Sequence, residues 1–216
     1  MKKKNKIYAV ASVGALLSFL LWTALLCFVD VRPIGPLGSF VGFASLNGFI
    51  HEVLGVNMTL YVLTDFLGLL PLGVMLFFAA LGLFQWITRE SIVKVDRSLL
   101  CLGGFYLLVM ATYLFFEAVP LNCRPVLIDG VLETSYPSST TLLVLAVMPT
   151  AAMQCMARLK RRAWRRTTVL LIAAFTVLTV VGRLFSGVHW ATDIIGGIFI
   201  SAALVFAYLA VTDGMK

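Results

Sequence analysis

Charged residues are scarce in this sequence. Asp, Glu, Lys and Arg make up 12% of the 216 residues, whereas soluble domains carry roughly 25%. The hydrophobic fraction is 61% and the mean hydropathy is +1.00. This composition excludes a water-soluble globule and a disordered chain, because both need many more polar side chains. It predicts an integral membrane protein.

Cysteine and histidine are also few. The four cysteines show no C-x-x-C spacing, and neither of the two histidines is adjacent to one of them. A zinc or redox site needs such a cluster, so we expect no metal and no cofactor. Cys27 and Cys123 fall near the same predicted membrane face, and a disulfide between them is an alternative that the spacing leaves open.

Long apolar runs between charges predict six transmembrane helices, since a span needs about 20 apolar residues. The predicted spans are 7–29, 59–86, 98–116, 138–157, 167–182 and 190–211. The first resembles a signal sequence, but its apolar core is about twice too long, so we expect a retained anchor. The sequence shows no internal repeat or long linker. It therefore predicts a single membrane domain over 1–216, an all-α six-transmembrane-helix bundle.

Positive charges concentrate on one side of this predicted topology. Six spans put both termini on the same side, together with 14 of the 17 Lys and Arg residues; Arg32, Arg124 and Arg183 lie on the other side. By the positive-inside rule, both termini are cytoplasmic. The net charge of +7 thus orients the chain, and the basic cluster 158–166 is expected to meet anionic membrane lipids and not nucleic acid.

Three polar stretches fall together on the predicted outer side, at 122–125, 136–141 and 182–193. The fourth and sixth spans both begin there, so two helix N-termini point the same way. Each N-terminus offers free N–H groups and a positive dipole end, which favour an anion. The segment 31–57 precedes the second span on this side. Its glycines interrupt it too often for a span, and we expect it to lie at the interface.

The side chains of these stretches suit an anion. Pro137 fits a first helical turn, where its missing N–H is not needed. Ser138 and Ser139 add hydroxyl donors, and Arg124 and Arg183 can clamp phosphate oxygens in bidentate fashion. The sequence therefore predicts an oxyanion pocket at the outer face.

His189 and Asp193 are the candidate catalytic pair. They are four residues apart at the start of the sixth span, so on a helix they share one face. The carboxylate can fix the proton on one ring nitrogen and leave the other nitrogen free as a nucleophile or base. A metal held by these two residues alone would be a poor site.

Each of these residues also has a structural interpretation. The two arginines are typical of interfacial anchors, the two serines of helix caps, and the histidine and aspartate of a buried hydrogen-bonded pair. Their co-occurrence favours function. For His51 and Asp65 the structural interpretation is preferred: an interfacial loop residue and a bond to a neighbouring helix or water.

In these stretches the sequence resembles the membrane-bound type 2 phosphatidic acid phosphatase superfamily, a six-helix family of lipid phosphate and lipid pyrophosphate phosphatases. Its signature is K-x6-RP, PSGH and SR-x5-H-x3-D, in this order. The matching residues are Arg124-Pro125, Pro137-Ser138 and Arg183-x5-His189-x3-Asp193.

The resemblance implies a role for each matching residue. His189 is the expected nucleophile that takes the phosphoryl group, with Asp193 as its orienter. Arg124, Arg183 and Ser138 are the expected phosphate ligands, and no metal takes part.

Three positions depart from the family pattern. Gly182 replaces a Ser, Glu117 stands where the family has Lys, and Thr140 replaces the His of the second motif. That His is understood to protonate the leaving group, which a threonine hydroxyl cannot do usefully near neutral pH. A carboxylate at 117 repels a phosphate unless it is protonated or turned away; it could also supply the missing acid if burial raises its pKa.

The sequence predicts a membrane lipid phosphatase, impaired by Thr140, that acts on a lipid phosphate or a polyprenyl pyrophosphate. We expect pyrophosphates to be favoured, because phosphate is a weakly basic leaving group that needs little proton help. A lipid phosphotransferase and a catalytically silent lipid-phosphate-binding protein remain alternatives. The expected location is a bacterial plasma membrane with the active site on the extracytoplasmic side, and the expected partners are the substrate and membrane lipids.

Overall fold

The computed structural model describes residues 3–213, which are mostly helical and contain isolated β-bridges but no strand. The α-helices of this part are α1 (Lys3–Phe28), α2 (Ala44–Leu54), α3 (Met58–Leu67), α4 (Leu70–Arg89), α5 (Arg97–Ala118), α6 (Ser139–Arg158), α7 (Arg162–Phe185) and α8 (Ala191–Thr212). Single 3-10 turns lie at Pro36–Gly38 and Ile92–Lys94. Lys2 and Lys216, two of the cations predicted to be cytoplasmic, lie outside the described residues.

Among residues 3–213, six helical stretches are long and apolar enough to cross a membrane, which confirms the predicted six-span architecture. They are Lys4–Phe28, Met58–Arg89, Arg97–Ala118, Ser139–Arg158, Arg162–Phe185 and Ala191–Thr212.

The fifth span differs most from its predicted bounds of 167–182. Arg162, Arg165 and Arg166 form the first turns of α7, although the sequence predicted a loop there. Arginine is a good helix former, and its long side chain can carry the charge away from the apolar stretch. The charges that were expected to end the span therefore begin its helix.

The second span is interrupted at 68–69, between α3 and α4. Pro71 lies in the first turn of α4, where it has no N–H to bond the carbonyl of Leu67, so the helical ladder cannot continue across this point. The Gly68 N–H instead closes α3 on the Thr64 carbonyl at 2.9 Å.

The central helix is α6. In its most apolar stretch 67% of the residues are buried, more than in any other span of the described chain. It packs mainly against α7 and α8 and also contacts α4 and α5, while α1 packs along α8. The residues at the N-terminus of α6 are consequently enclosed by the other helices.

The segment 31–57 does not span, as predicted, but most of its second half forms α2. Asn47 in this helix is buried and joins it to the start of α8. Its amide nitrogen donates to Thr192 Oγ1 at 2.9 Å, and its amide oxygen accepts the Thr192 N–H at 3.3 Å. Cys27 and Cys123 are both free thiols, so the disulfide alternative is wrong.

Candidate active site

The N-termini of α6 and α8 lie side by side. The Ser138 N–H donates to the Asp193 carbonyl oxygen at 3.0 Å. Close approach here depends on glycine in α8, because a Cβ added to Gly196 would lie 2.5 Å from the Tyr136 ring. Two helix ends therefore open onto one region, which we call the site end of the bundle.

His189 and Asp193 meet at the site end, but not through a shared helical face as predicted. His189 lies in the loop before α8, whose N-cap is Trp190. Asp193 is the third residue of the helix, and its carboxylate turns back so that Oδ2 accepts the Trp190 N–H at 2.9 Å. The same oxygen lies 3.6 Å from His189 Nδ1. Helix capping thus holds the carboxylate against the imidazole.

The other ring nitrogen of His189 faces an arginine. His189 Nε2 lies 3.3 Å from Arg124 Nη1. Because a guanidinium only donates, Nε2 is the acceptor and the ring proton lies on Nδ1. Burial, followed by the charges of Arg124 and Arg183, holds the pKa of His189 well below its usual range. The imidazole is therefore neutral near pH 7, with the Nε2 lone pair toward the guanidinium.

The loop between α5 and α6 positions Arg124. A β-bridge pairs Cys123 with Thr134, and the Arg124 N–H donates to the Glu133 carbonyl oxygen at 3.0 Å. Glu133 Oε2 also lies 2.9 Å from Arg124 Nε. The Arg124 side chain is buried, whereas that of Glu133 is 41% exposed. A carboxylate at the solvent side therefore holds this guanidinium.

Arg183 lies in the last turn of α7 and is almost fully buried. The helix continues to Phe185, so Arg183 is a helical residue and does not follow the fifth span as predicted. Its Nη2 lies 3.2 Å from Asp65 Oδ1, and its Nη1 lies 3.5 Å from Thr64 Oγ1. A Cβ on Gly182 would lie 2.8 Å from Thr64 Cγ2. Glycine in place of the family's Ser therefore allows the close crossing of α3 and α7.

Tyr61 of α3 lies beside both arginines and is not among the residues that the motifs predict. Its ring centroid is 5.0 Å from Arg183 Cζ and 5.7 Å from Arg124 Cζ, both within cation–π range. One sequence signal could have identified it: Tyr61, Thr64 and Asp65 recur at helical spacing inside an apolar span. Polar groups on one face of a span are functional candidates.

The serines of the second motif have different surroundings. Ser138 is the N-cap of α6, and its Oγ accepts from the Thr141 N–H at 3.4 Å and from Thr141 Oγ1 at 3.0 Å. Pro137 precedes this cap and is not in the first helical turn as predicted. Ser139 is half-buried and lines a small cavity with Glu117. Within residues 3–213, no hydrogen bond joins Ser139 to either arginine.

Thr140 is buried at the site end against the interruption of the second span. A Cβ added to Gly68 would lie 3.1 Å from Thr140 Cγ2, so the Thr140 side chain packs directly against the Gly68 backbone. Glu117 is exposed at the end of α5, and in the described part of the chain it forms no ion pair with Arg124 or Arg183. Its carboxylate therefore does not neutralise either guanidinium group.

Further contacts support the histidine and aspartate from distant parts of the chain. Asn122 Nδ2 lies 3.5 Å from Asp193 Oδ1, and Trp190 Nε1 donates to the Cys123 carbonyl oxygen at 2.7 Å. Within residues 3–213, no three His, Cys, Asp or Glu side chains are grouped so as to hold a metal ion. The arrangement is that of a neutral histidine beside two buried guanidinium groups, which suits binding of a phosphate and attack on it.

Fold and site together define an integral membrane protein in which a histidine and two buried arginines meet at one end of a helical bundle. The chain belongs to the PAP2 superfamily, whose sequence model matches residues 105–214. Membership places it, at the general level, among membrane lipid phosphatases.

A solved structure supports the fold. The chain is similar to a transmembrane PAP2-type phosphatidylglycerolphosphate phosphatase from Bacillus subtilis, with a TM-score of 0.64 and 18% sequence identity over 95% of this chain and 98% of that one. No curated protein shows significant sequence similarity to the chain.

Proposed function

We propose that this chain hydrolyses a lipid phosphate or a polyprenyl pyrophosphate through a phosphohistidine intermediate. One observation carries the proposal: His189 Nε2 lies 3.3 Å from Arg124 Nη1, and the guanidinium groups of Arg124 and Arg183 both lie within 5.7 Å of the Tyr61 ring centroid. A phosphoryl group held by both arginines would have its phosphorus next to the neutral ring nitrogen.

The reaction would proceed in two steps. His189 Nε2 attacks phosphorus with its lone pair, and the bond from phosphorus to the leaving oxygen breaks. Asp193 stabilises the charge that develops on the ring through Nδ1. Water then attacks the phosphohistidine, phosphate departs, and His189 returns to the neutral form.

We propose that the chain favours pyrophosphates, because Thr140 stands at the position of the family's acid. An alkoxide leaving from a monoester is strongly basic and needs a proton, whereas phosphate leaving from a pyrophosphate needs one far less. Loss of general acid catalysis typically costs about 10²–10⁴-fold. Phosphate release by purified protein should therefore be at least about 10²-fold faster from a polyprenyl pyrophosphate than from phosphatidic acid.

Equal rates on the two substrates would contradict this preference while leaving the phosphatase itself established. Tight binding of vanadate without release of phosphate from either substrate would contradict the phosphatase. That result would instead favour a catalytically silent lipid-phosphate binder. The observation that points to this alternative is the threonine at position 140.

We further propose that the site end faces the extracytoplasmic side of a bacterial plasma membrane. The asymmetry of Lys and Arg supports this orientation. A reporter fused after Lys216 should be accessible only from the cytoplasm, and one inserted in the exposed turn at 129–130 only from outside. The reverse pattern in intact cells would contradict the orientation.

A further inference from the structure

Phosphate monoester hydrolysis needs a proton donor at the leaving group, and Thr140 does not provide one. The carboxyl groups nearest to the two arginines are poor substitutes. Glu133 lies 2.9 Å from Arg124 Nε and Asp65 lies 3.2 Å from Arg183 Nη2. A carboxylate held in an ion pair has no proton to give. Glu117 is exposed and, within residues 3–213, forms no ion pair with either arginine.

Tyr61 carries a neutral hydroxyl, and its side chain lies beside both arginines. Its ring centroid lies within 5.7 Å of both guanidinium groups. Its hydroxyl interacts electrostatically with Arg124, Arg183, Asp65 and Glu133. No hydrogen bond to this hydroxyl is formed within residues 3–213. The side chain is half-buried, so a ligand held by the arginines can reach it. An O–H group beside an anion pocket, without a partner in the protein, is available to the ligand.

We propose that Tyr61 is a further catalytic residue, which donates its hydroxyl proton to the leaving oxygen of the substrate. This inference rests on the proposed function. As His189 Nε2 bonds to phosphorus and the leaving oxygen departs, the proton of Tyr61 passes to that oxygen and a phenolate remains. In the second step water attacks the phosphohistidine and returns a proton to the phenolate.

The two guanidinium groups make this step chemically reasonable. The positive charges of Arg124 and Arg183 stabilise a phenolate at Tyr61 and offset part of the cost of its partial burial. A phenol is nonetheless a weaker acid than an imidazolium, so it only partly replaces the family's histidine. Pyrophosphates remain the better substrates, and the turnover of monoesters that persists depends on Tyr61.

Tyr61→Phe tests the proposal, because it keeps the aromatic ring beside the two arginines and removes only the hydroxyl. We expect kcat on phosphatidic acid to fall about 10-fold or more, and kcat on a polyprenyl pyrophosphate to change less than about threefold. Binding of vanadate should be retained. Tyr8→Phe is the matched control. Tyr8 lies near the start of α1, away from the site end, so both rates should stay unchanged.

The outcomes separate this proposal from the proposed function. Equal losses on both substrates would assign Tyr61 to positioning the arginines, and no loss on phosphatidic acid would show that the proton comes from elsewhere; either result overturns the proposal while the phosphatase stands. If the unaltered protein released no phosphate, both would fail. If Tyr61→Phe lost vanadate binding, the hydroxyl would be a ligand of the anion and the proposal would be wrong.

Discussion

Replacing His189 by alanine is expected to lower phosphate release by about 10⁴-fold or more, since the first chemical step loses its nucleophile. The guanidinium groups of Arg124 and Arg183 do not depend on the imidazole for their ion pairs with Glu133 and Asp65. The pocket should therefore keep its anion affinity. Phosphate release from a polyprenyl pyrophosphate and vanadate binding, measured side by side, separate loss of chemistry from loss of fold.

His51 provides the matched control, because it is the other histidine of the sequence and also lies at the site end. Its ring is 5.4 Å from that of Trp190, which makes it a packing contact of the α8 N-cap. His51→Ala should lose less than about 10-fold. A second readout is an acid-labile phosphoryl adduct, trapped from labelled substrate in the unaltered protein and absent in His189→Ala. Retention of a tenth of the turnover by His189→Ala would exclude His189 as the nucleophile.

The resting site holds its cations in a way that substrate binding must change. Arg124 and Arg183 are buried, yet each faces a carboxylate that is largely exposed: 41% for Glu133 and 56% for Asp65. A phosphate dianion offers stronger bidentate acceptors to the same donors. The carboxylates can turn to water as the phosphate enters, so the buried guanidinium groups are never left unpaired.

The spans and the motif residues could be predicted because their signals are local. Apolar runs between charges mark the helices, and the spacing from Arg183 through His189 to Asp193 is contained within eleven residues of sequence. The conformation of that stretch could not be predicted from its spacing alone. Helical geometry suggested a shared face, whereas a cap at Trp190 places His189 outside the helix and turns Asp193 back toward it.

The partners of the site residues could not be predicted because they come from distant segments. Asp65 reaches Arg183 across 118 positions of sequence, and Asn47 reaches Thr192 across 145. Only the crossing of α3 with α7 and the docking of α2 on α8 create these contacts. Gly182 illustrates the difference: the sequence shows it only as a departure from a motif, whereas in the fold the missing side chain allows α3 to approach α7.

Thr140→His is expected to raise turnover of phosphatidic acid by about 10²-fold, by restoring an imidazolium that protonates the leaving oxygen. The polyprenyl pyrophosphate should gain much less, because its leaving group needs little proton help. Thr140 is buried and its Cγ2 already packs against Gly68, so the larger imidazole must displace this contact. The gain should disappear as pH rises through the imidazolium pKa, since only the protonated ring can donate.

Thr140→Asn is the control, because it adds a polar planar group without a dissociable proton and should produce no gain. Thr140→His also tests whether the new imidazolium and the Tyr61 hydroxyl protonate the same leaving oxygen. If imidazolium takes over the role of Tyr61, then Tyr61→Phe should cost much less in the Thr140→His background than alone, a non-additivity that a double-mutant cycle measures. Additive effects would mean that the two groups act on different steps. An equal gain from Asn and His would mean that packing at Gly68, and not the missing acid, limits the rate.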